Sequence, residues 1–289
     1  MKQLLGLVVF ASSFLFASIT EYRAFYHTCF IQNNQEYKLL RSFKKDQKQY
    51  YFVVNTTTLK SSLFTQIGDL KSCSNSYYQY LLNLSSNYPY LLHNDGLLKN
   101  SGGVAISTDL CPSSKKGFEK RLYEALFNYF PNPAPVTIFI TKRWILKHPK
   151  EFHQLQQWQQ ARKLAITWGN HTAYHHYHPH IPDKHNFVLS PKEHLQEDIF
   201  DLEKILLENG ITPSVFFRFP GLVSNKKSVE LVKALGLIII GSDAWLAKGE
   251  KVTSNSIILV HGNKNEPKGV TILLELITKH ILKKITPLF

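Results

Sequence analysis

LAITWGNHTAYHH, residues 164–176, is the stretch on which the reading of this chain turns. Its apolar start, residues 164–168, has the length and composition of a buried strand, and the polar segment 169–176 follows at once. His171 and His175 are four residues apart. One turn of helix, or a loop of similar curvature, would bring both imidazoles to one side, within reach of a single metal ion. For this segment alone, a solvated histidine-rich surface loop is the alternative. The wider chain favours the metal, because Asp109, Arg218, Asp243 and His261 each follow or end a strand-like run. Polar groups at strand ends are where an α/β sheet or barrel gathers its chemistry.

Outward from this segment the pattern alternates. Strand-like runs at 104–108, 136–141, 164–168, 214–217, 237–240 and 256–260 are interleaved with amphipathic stretches at 117–130, 151–163, 191–208, 224–235 and 269–285. Pro191 opens one of these helices and Gly210 closes it. Such alternation predicts an α/β fold with a parallel sheet or (β/α) barrel, with room for fewer than eight strands.

The first hundred residues read differently. Residues 1–19 carry Lys2 and then an apolar run at 4–17, the pattern of a secretory signal or a short anchor, which predicts an exported protein. Residues 20–99 predict a small α+β region, with β-rich runs at 22–26, 37–43 and 50–55, a helix at 77–84, and a linker of Asn, Ser and Gly at 94–103. Tyr77, Tyr78, Tyr80, Tyr88 and Tyr90 suit either a sheet core or a surface that stacks on sugars. In an exported protein Cys29 and Cys73 are candidates for a disulfide, which leaves Cys111 over. A net charge of +13 suits an anionic partner. The basic residues are dispersed, so no nucleic-acid partner is expected, and membrane contact is expected only through an N-terminal anchor.

With these residues in place, residues 100–289 resemble the polysaccharide deacetylase family, also called the NodB-homology or carbohydrate esterase family 4 domain. Five motifs carry the resemblance in order. Ser107-Thr108-Asp109-Leu110-Cys111-Pro112 stands where the family has Thr-Phe-Asp-Asp-Gly-Pro. His171, Thr172 and His175 match His-Ser/Thr-x-x-His, Arg218-Phe219-Pro220 matches Arg-x-Pro, Asp243-Ala244-Trp245 resembles the fourth motif, and Leu259-Val260-His261 matches Leu-x-His. The resemblance implies a distorted (β/α) barrel that removes acetyl groups from an acetylated glycan with a divalent metal, Zn²⁺ by preference and Co²⁺ or Ni²⁺ as alternatives.

Residue by residue, the resemblance makes Asp109 the general base, Arg218 its brace, His171 and His175 metal ligands, and His261 the general acid oriented by Asp243. Trp144, Pro220, Gly221 and Trp245 are the expected groove residues. Leu110 falls where the family has a metal-binding Asp, and leucine coordinates nothing. Three arrangements are therefore open: Asp109 joins the two histidines as ligand, His176 or His178 does so, or the domain is a catalytically silent glycan binder. His176, His178, His180 and His185 otherwise read as a polar loop over the groove.

Overall fold

The computed structural model describes residues 18–84, 91–191 and 194–289. Residues 1–17 of the expected signal or anchor, and the positions of Tyr88 and Tyr90, lie outside the described residues; Ile19, the last position of that segment, starts a strand.

The described residues begin with β1 (Ile19–Ala24), β2 (Thr28–Gln32), β3 (Gln35–Lys45), β4 (Lys48–Asn55), β5 (Ser61–Phe64) and β6 (Lys71–Ser72). They form an antiparallel sheet in the order β5-β4-β3-β2-β6, with β1 also on β3. A bulge between Leu39 and Arg41 shifts the register of β3 on β4. Leu39 thus packs with Phe30 and Val53 on one face, while Leu40, Phe43, Phe52 and Val54 face the rest of the chain. Cys29 and Cys73 are disulfide-bonded. Helix α1 (Tyr77–Asn83) starts at Ser76, whose side chain accepts from Gln79 N at 3.2 Å. Tyr78 is buried on this helix, whereas Tyr77 and Tyr80 are exposed and stack on each other.

After β7 (Leu92–His93) the alternating part follows: β8 (Ala105–Leu110), α2 (Lys120–Tyr129), β9 (Ala134–Ile140), α3 (Lys142–Lys147), α4 (Pro149–Gln160), β10 (Leu164–Asn170), α5 (Leu195–Glu208), β11 (Phe216–Phe217), β12 (Val223–Ser224), α6 (Lys226–Ala234), β13 (Ile238–Ile239), β14 (Ala244–Trp245), β15 (Ile257–His261) and α7 (Pro267–Thr278). Among the described residues the main sheet has seven strands in the order β13-β11-β10-β9-β8-β15-β14. Every pairing in it is parallel. This curled parallel sheet is the α/β arrangement that the alternation predicts and the distorted (β/α) barrel that the resemblance implies. The last helix is shorter than the predicted 269–285; the chain leaves it at Thr278 and returns to the strand starts, where Thr286 N donates to Val104 O.

Two features settle where a site can open. The N-terminal sheet shares a core with Ala105, Phe216, Ile238 and Ile257, all at or near the starts of barrel strands. It therefore closes that end and leaves the strand ends free. A buried ion pair anchors it: Arg41 Nε donates to Glu203 Oε2 of α5 at 2.9 Å, Arg41 Nη2 to Oε1 at 3.1 Å, and Tyr22 Oη to Oε2 at 2.7 Å. The stretch 94–103, predicted as a linker, is instead built into the gap between β13 and β14. Leu97 bridges to Ile240, Lys99 to Ser256, and Asn94 N donates to Leu222 O. Its Asn and Gly residues serve these backbone contacts as well as they would serve a flexible connector.

Candidate active site

Side chains alternate along β8, and that alternation decides the site. Ile106 and Leu110 pack outward with Leu122 and Tyr123 of α2. Ser107 and Asp109 face inward, and Cys111, the next residue in that series, also points to the interior. Leu110, whose substitution for an acid opened the ligand question, lies on the helix side of the strand.

Arg218 follows β11 and is fully buried. Its Nη1 donates to Asp109 Oδ1 at 2.7 Å, Nη2 to Ser107 Oγ at 2.8 Å and Gly241 O at 2.9 Å, and Nε to Ile240 O at 3.3 Å. The guanidinium carbon also sits 4.2 Å from the centre of the Phe139 ring. Burial raises the Asp109 carboxyl's pKa, but the charge of Arg218, helped by His171 and His261, outweighs it and holds the group below the usual carboxylate range.

His171 directly follows β10. The chain turns after Asn170, whose Oδ1 accepts Thr172 N at 2.9 Å, and Thr172 Oγ1 accepts His175 N at 3.2 Å. Thr172 and His175 have φ of 67° and 48°, so the segment is a tight non-helical bend, at a cost of about 1–3 kcal/mol for each left-handed residue. The bend still brings the two imidazoles together, ring centres 4.9 Å apart. His171 Nδ1 is 2.8 Å from Arg218 O, which leaves Nε2 facing the interior, 3.5 Å from Cys111 Sγ and 3.7 Å from Asp109 Oδ2.

His261 ends β15, in register with Asp109. Its Nδ1 is 2.9 Å from Glu266 Oε2, which also accepts Trp245 Nε1 at 2.8 Å. Burial lowers the pKa of His261, but Cys111, Glu266 and Asp109 together raise it well above that of a free imidazole. Asp243, expected to orient His261, is engaged elsewhere. Its carboxylate accepts Ile257 N at 3.0 Å and Ser256 Oγ at 3.2 Å and pairs with Lys99 at 3.4 Å, so it braces the start of β15.

Asp109, Cys111, His171, His175, His261 and Glu266 line an open cleft of about 660 Å³. Gly221 and Trp245 line it too; a Cβ on Gly221, at φ 64°, would meet the Phe187 ring at 2.5 Å. Pro220, expected in the groove, is buried and is not among the described residues that line the cleft. Trp144 does not form a groove wall: Thr141 caps α3 by accepting Trp144 N at 3.2 Å, and the indole is fully buried, stacked on His148. His176 and His178 are not among the described residues that line the cleft. Two groups of donor atoms lie mutually within 4.8 Å: Cys111, His171 and His175, and Asp109, Cys111 and His261. Buried and half-buried nitrogen, sulfur and carboxylate donors at such spacing fit a divalent ion such as zinc. Cys111 and Glu266 were missed by sequence reasoning; the period of two along residues 107–111 could have found the cysteine.

Comparison with known proteins adds the family. Residues 99–240 match the polysaccharide deacetylase family profile. A family 4 carbohydrate esterase from Bacillus anthracis superposes with a TM-score of 0.50 at 19% identity, covering 75% of this chain and 91% of its own. PdaA of Bacillus subtilis, another family 4 carbohydrate esterase, gives 0.48 at 16% identity over 65% of this chain and 80% of its own. The profile ends at residue 240, while the sheet and the strand-end cleft run on through β14 and β15 to Glu266; residues 99–240 are a polysaccharide deacetylase domain.

Proposed function

We propose that this protein is a metal-dependent hydrolase that removes acetyl groups from an acetylated polysaccharide. One observation carries the reading: a buried Asp109–Arg218 pair and the His261–Glu266 pair converge with His171 and His175 on one cleft.

An amide is a poor electrophile with a poor leaving group, so its hydrolysis calls for a polarised carbonyl, an activated water and a proton donor. A divalent ion held by His171 and His175 would polarise the carbonyl and lower the pKa of water toward roughly 7. Asp109, kept ionised by Arg218, takes a proton from the attacking water as its oxygen bonds the acetyl carbon. As the carbon–nitrogen bond breaks, His261, kept protonated by its acidic neighbours, gives its proton to the departing nitrogen, or to oxygen in an ester. Free acetate and an amine or hydroxyl on the sugar result. Glu266 orients His261, and Trp245 and the exposed Tyr177 at the cleft offer rings to a sugar face.

Arg143, Lys147 and Lys248 stand at the cleft. They favour a glycan that carries anionic groups. The Cys29–Cys73 disulfide supports an exported protein, since disulfides persist in oxidising compartments. Among the described residues no helix is long and apolar enough to cross a membrane.

Leu110 favours a second reading, a glycan-binding domain without turnover. Acetate assays on a panel of acetylated glycans separate the two. Turnover that is chelator-sensitive and absent from His261→Ala supports the hydrolase; binding without acetate release by the wild type supports the silent domain.

A further inference from the structure

We propose that Cys111 is the third protein ligand of the metal, its thiolate completing a site with His171 and His175. The proposal rests on the metal-dependent reading above and supplies the ligand that reading lacks. Catalytic zinc takes three protein ligands and keeps one open position, so two histidines alone make a weak site. Leu110 cannot contribute, since it packs against α2 on the far side of β8. Cys111 extends the inward series instead.

The geometry is that of a ligand set. Two donors bound tetrahedrally to one ion at zinc–nitrogen and zinc–sulfur lengths lie about 3.6 Å apart. Cys111 Sγ is 3.5 Å from His171 Nε2, and the His175 donor lies within 4.8 Å of both. His171 Nδ1 is tied to Arg218 O at 2.8 Å, the outer contact that aims a ligating imidazole and fixes its tautomer. Cys111 is itself held: Asn263 Nδ2 donates to its carbonyl at 2.9 Å, and its side chain is buried. Cys111 also belongs to the donor group with Asp109 and His261, but those residues are engaged by Arg218 and Glu266. A thiolate at Cys111 carries the same single negative charge as a carboxylate ligand and leaves Asp109 free to act as base. It is softer, so zinc and cobalt are favoured over magnesium or calcium. Binding replaces the S–H bond with an S–metal bond and releases one proton to solvent.

Cys111 is the chain's third cysteine and is free, the other two being paired in the Cys29–Cys73 disulfide, so its sulfur can be followed directly. The test titrates metal-free protein with Co²⁺ and follows the near-ultraviolet sulfur-to-cobalt charge-transfer band, with circular dichroism as the folding check on every variant. The wild type should show the band, release a proton on binding, and have its thiol shielded by Zn²⁺ from iodoacetamide. Cys111→Ser should lose the band and weaken Zn²⁺ binding by more than the ~10–100-fold that loss of an outer contact costs. Cys111→Asp should bind metal without the band. Cobalt binding that depends on His171 and His175 but shows no band and no shielding overturns the ligand assignment and leaves the deacetylase reading standing. A band that survives His171→Ala and vanishes in His261→Ala overturns it by moving the ion to the other donor group. Acetyl–Cys111 thioester trapped during turnover by metal-free protein overturns it in favour of a nucleophile. Absence of any metal binding by the folded wild type overturns both readings.

Discussion

Glu266 Oε2 lies 2.9 Å from His261 Nδ1. The residue that steadies the proton donor therefore comes from the loop beyond β15, five positions further on, and the acid expected from the fourth motif, Asp243, braces the strand's start. Glu266 favours the imidazolium, so Glu266→Gln should lower the pKa of His261 and move the alkaline limb of the kcat/KM profile to lower pH. Asp243→Asn should leave that limb in place and lower Tm. A pH–rate profile for each variant checks the contrast.

Arg218 places four hydrogen bonds, all buried, and neutralises Asp109. Arg218→Met would leave a buried carboxylate unpaired, and urea unfolding should show a loss of about 3–5 kcal/mol. Arg218→Lys keeps the charge but not the planar fork, so most of that loss should remain. A stable, fully active Arg218→Lys would contradict the bracing role.

The Arg41–Glu203 pair joins the N-terminal sheet to α5. Arg41→Ala should cost about 3–5 kcal/mol by stranding Glu203. Because sheet and barrel share one core, thermal unfolding followed by both fluorescence and circular dichroism should stay a single transition. Two separate transitions would show that the sheet is an independent unit.

Arg143 and Lys147 are exposed at the cleft. The double variant Arg143→Glu, Lys147→Glu should raise KM for an anionic acetylated glycan, leave kcat little changed, and flatten the dependence of KM on salt. Equal effects on neutral and anionic substrates would argue against a charge-based preference.

The alternation of residues 104–260 was enough to read the parallel sheet, because short apolar runs keep recurring between much longer amphipathic stretches. Asp109, His171, His175, Arg218 and His261 were legible as a group for a related reason: each lies at or just beyond the end of a strand, and strand ends share one rim of a barrel. Trp144 was misread because Thr141 starts a helix there, and a capping contact leaves little trace in apolar periodicity. The roles of Asp243 and Glu266 depend on loop geometry, which spacing does not encode. Cys111 was visible in the sequence but was counted among the cysteines, while its place two residues beyond Asp109 on an alternating strand carried the information.

Acetate release from acetylated glycans is the measurement that bears most directly on the whole account. Zinc-loaded protein should release acetate, lose that activity to a chelator and regain it with Zn²⁺, and His261→Ala should be slower by roughly 10²–10⁴-fold while keeping its fold. Folded, zinc-loaded wild type that binds such glycans and frees no acetate would contradict it.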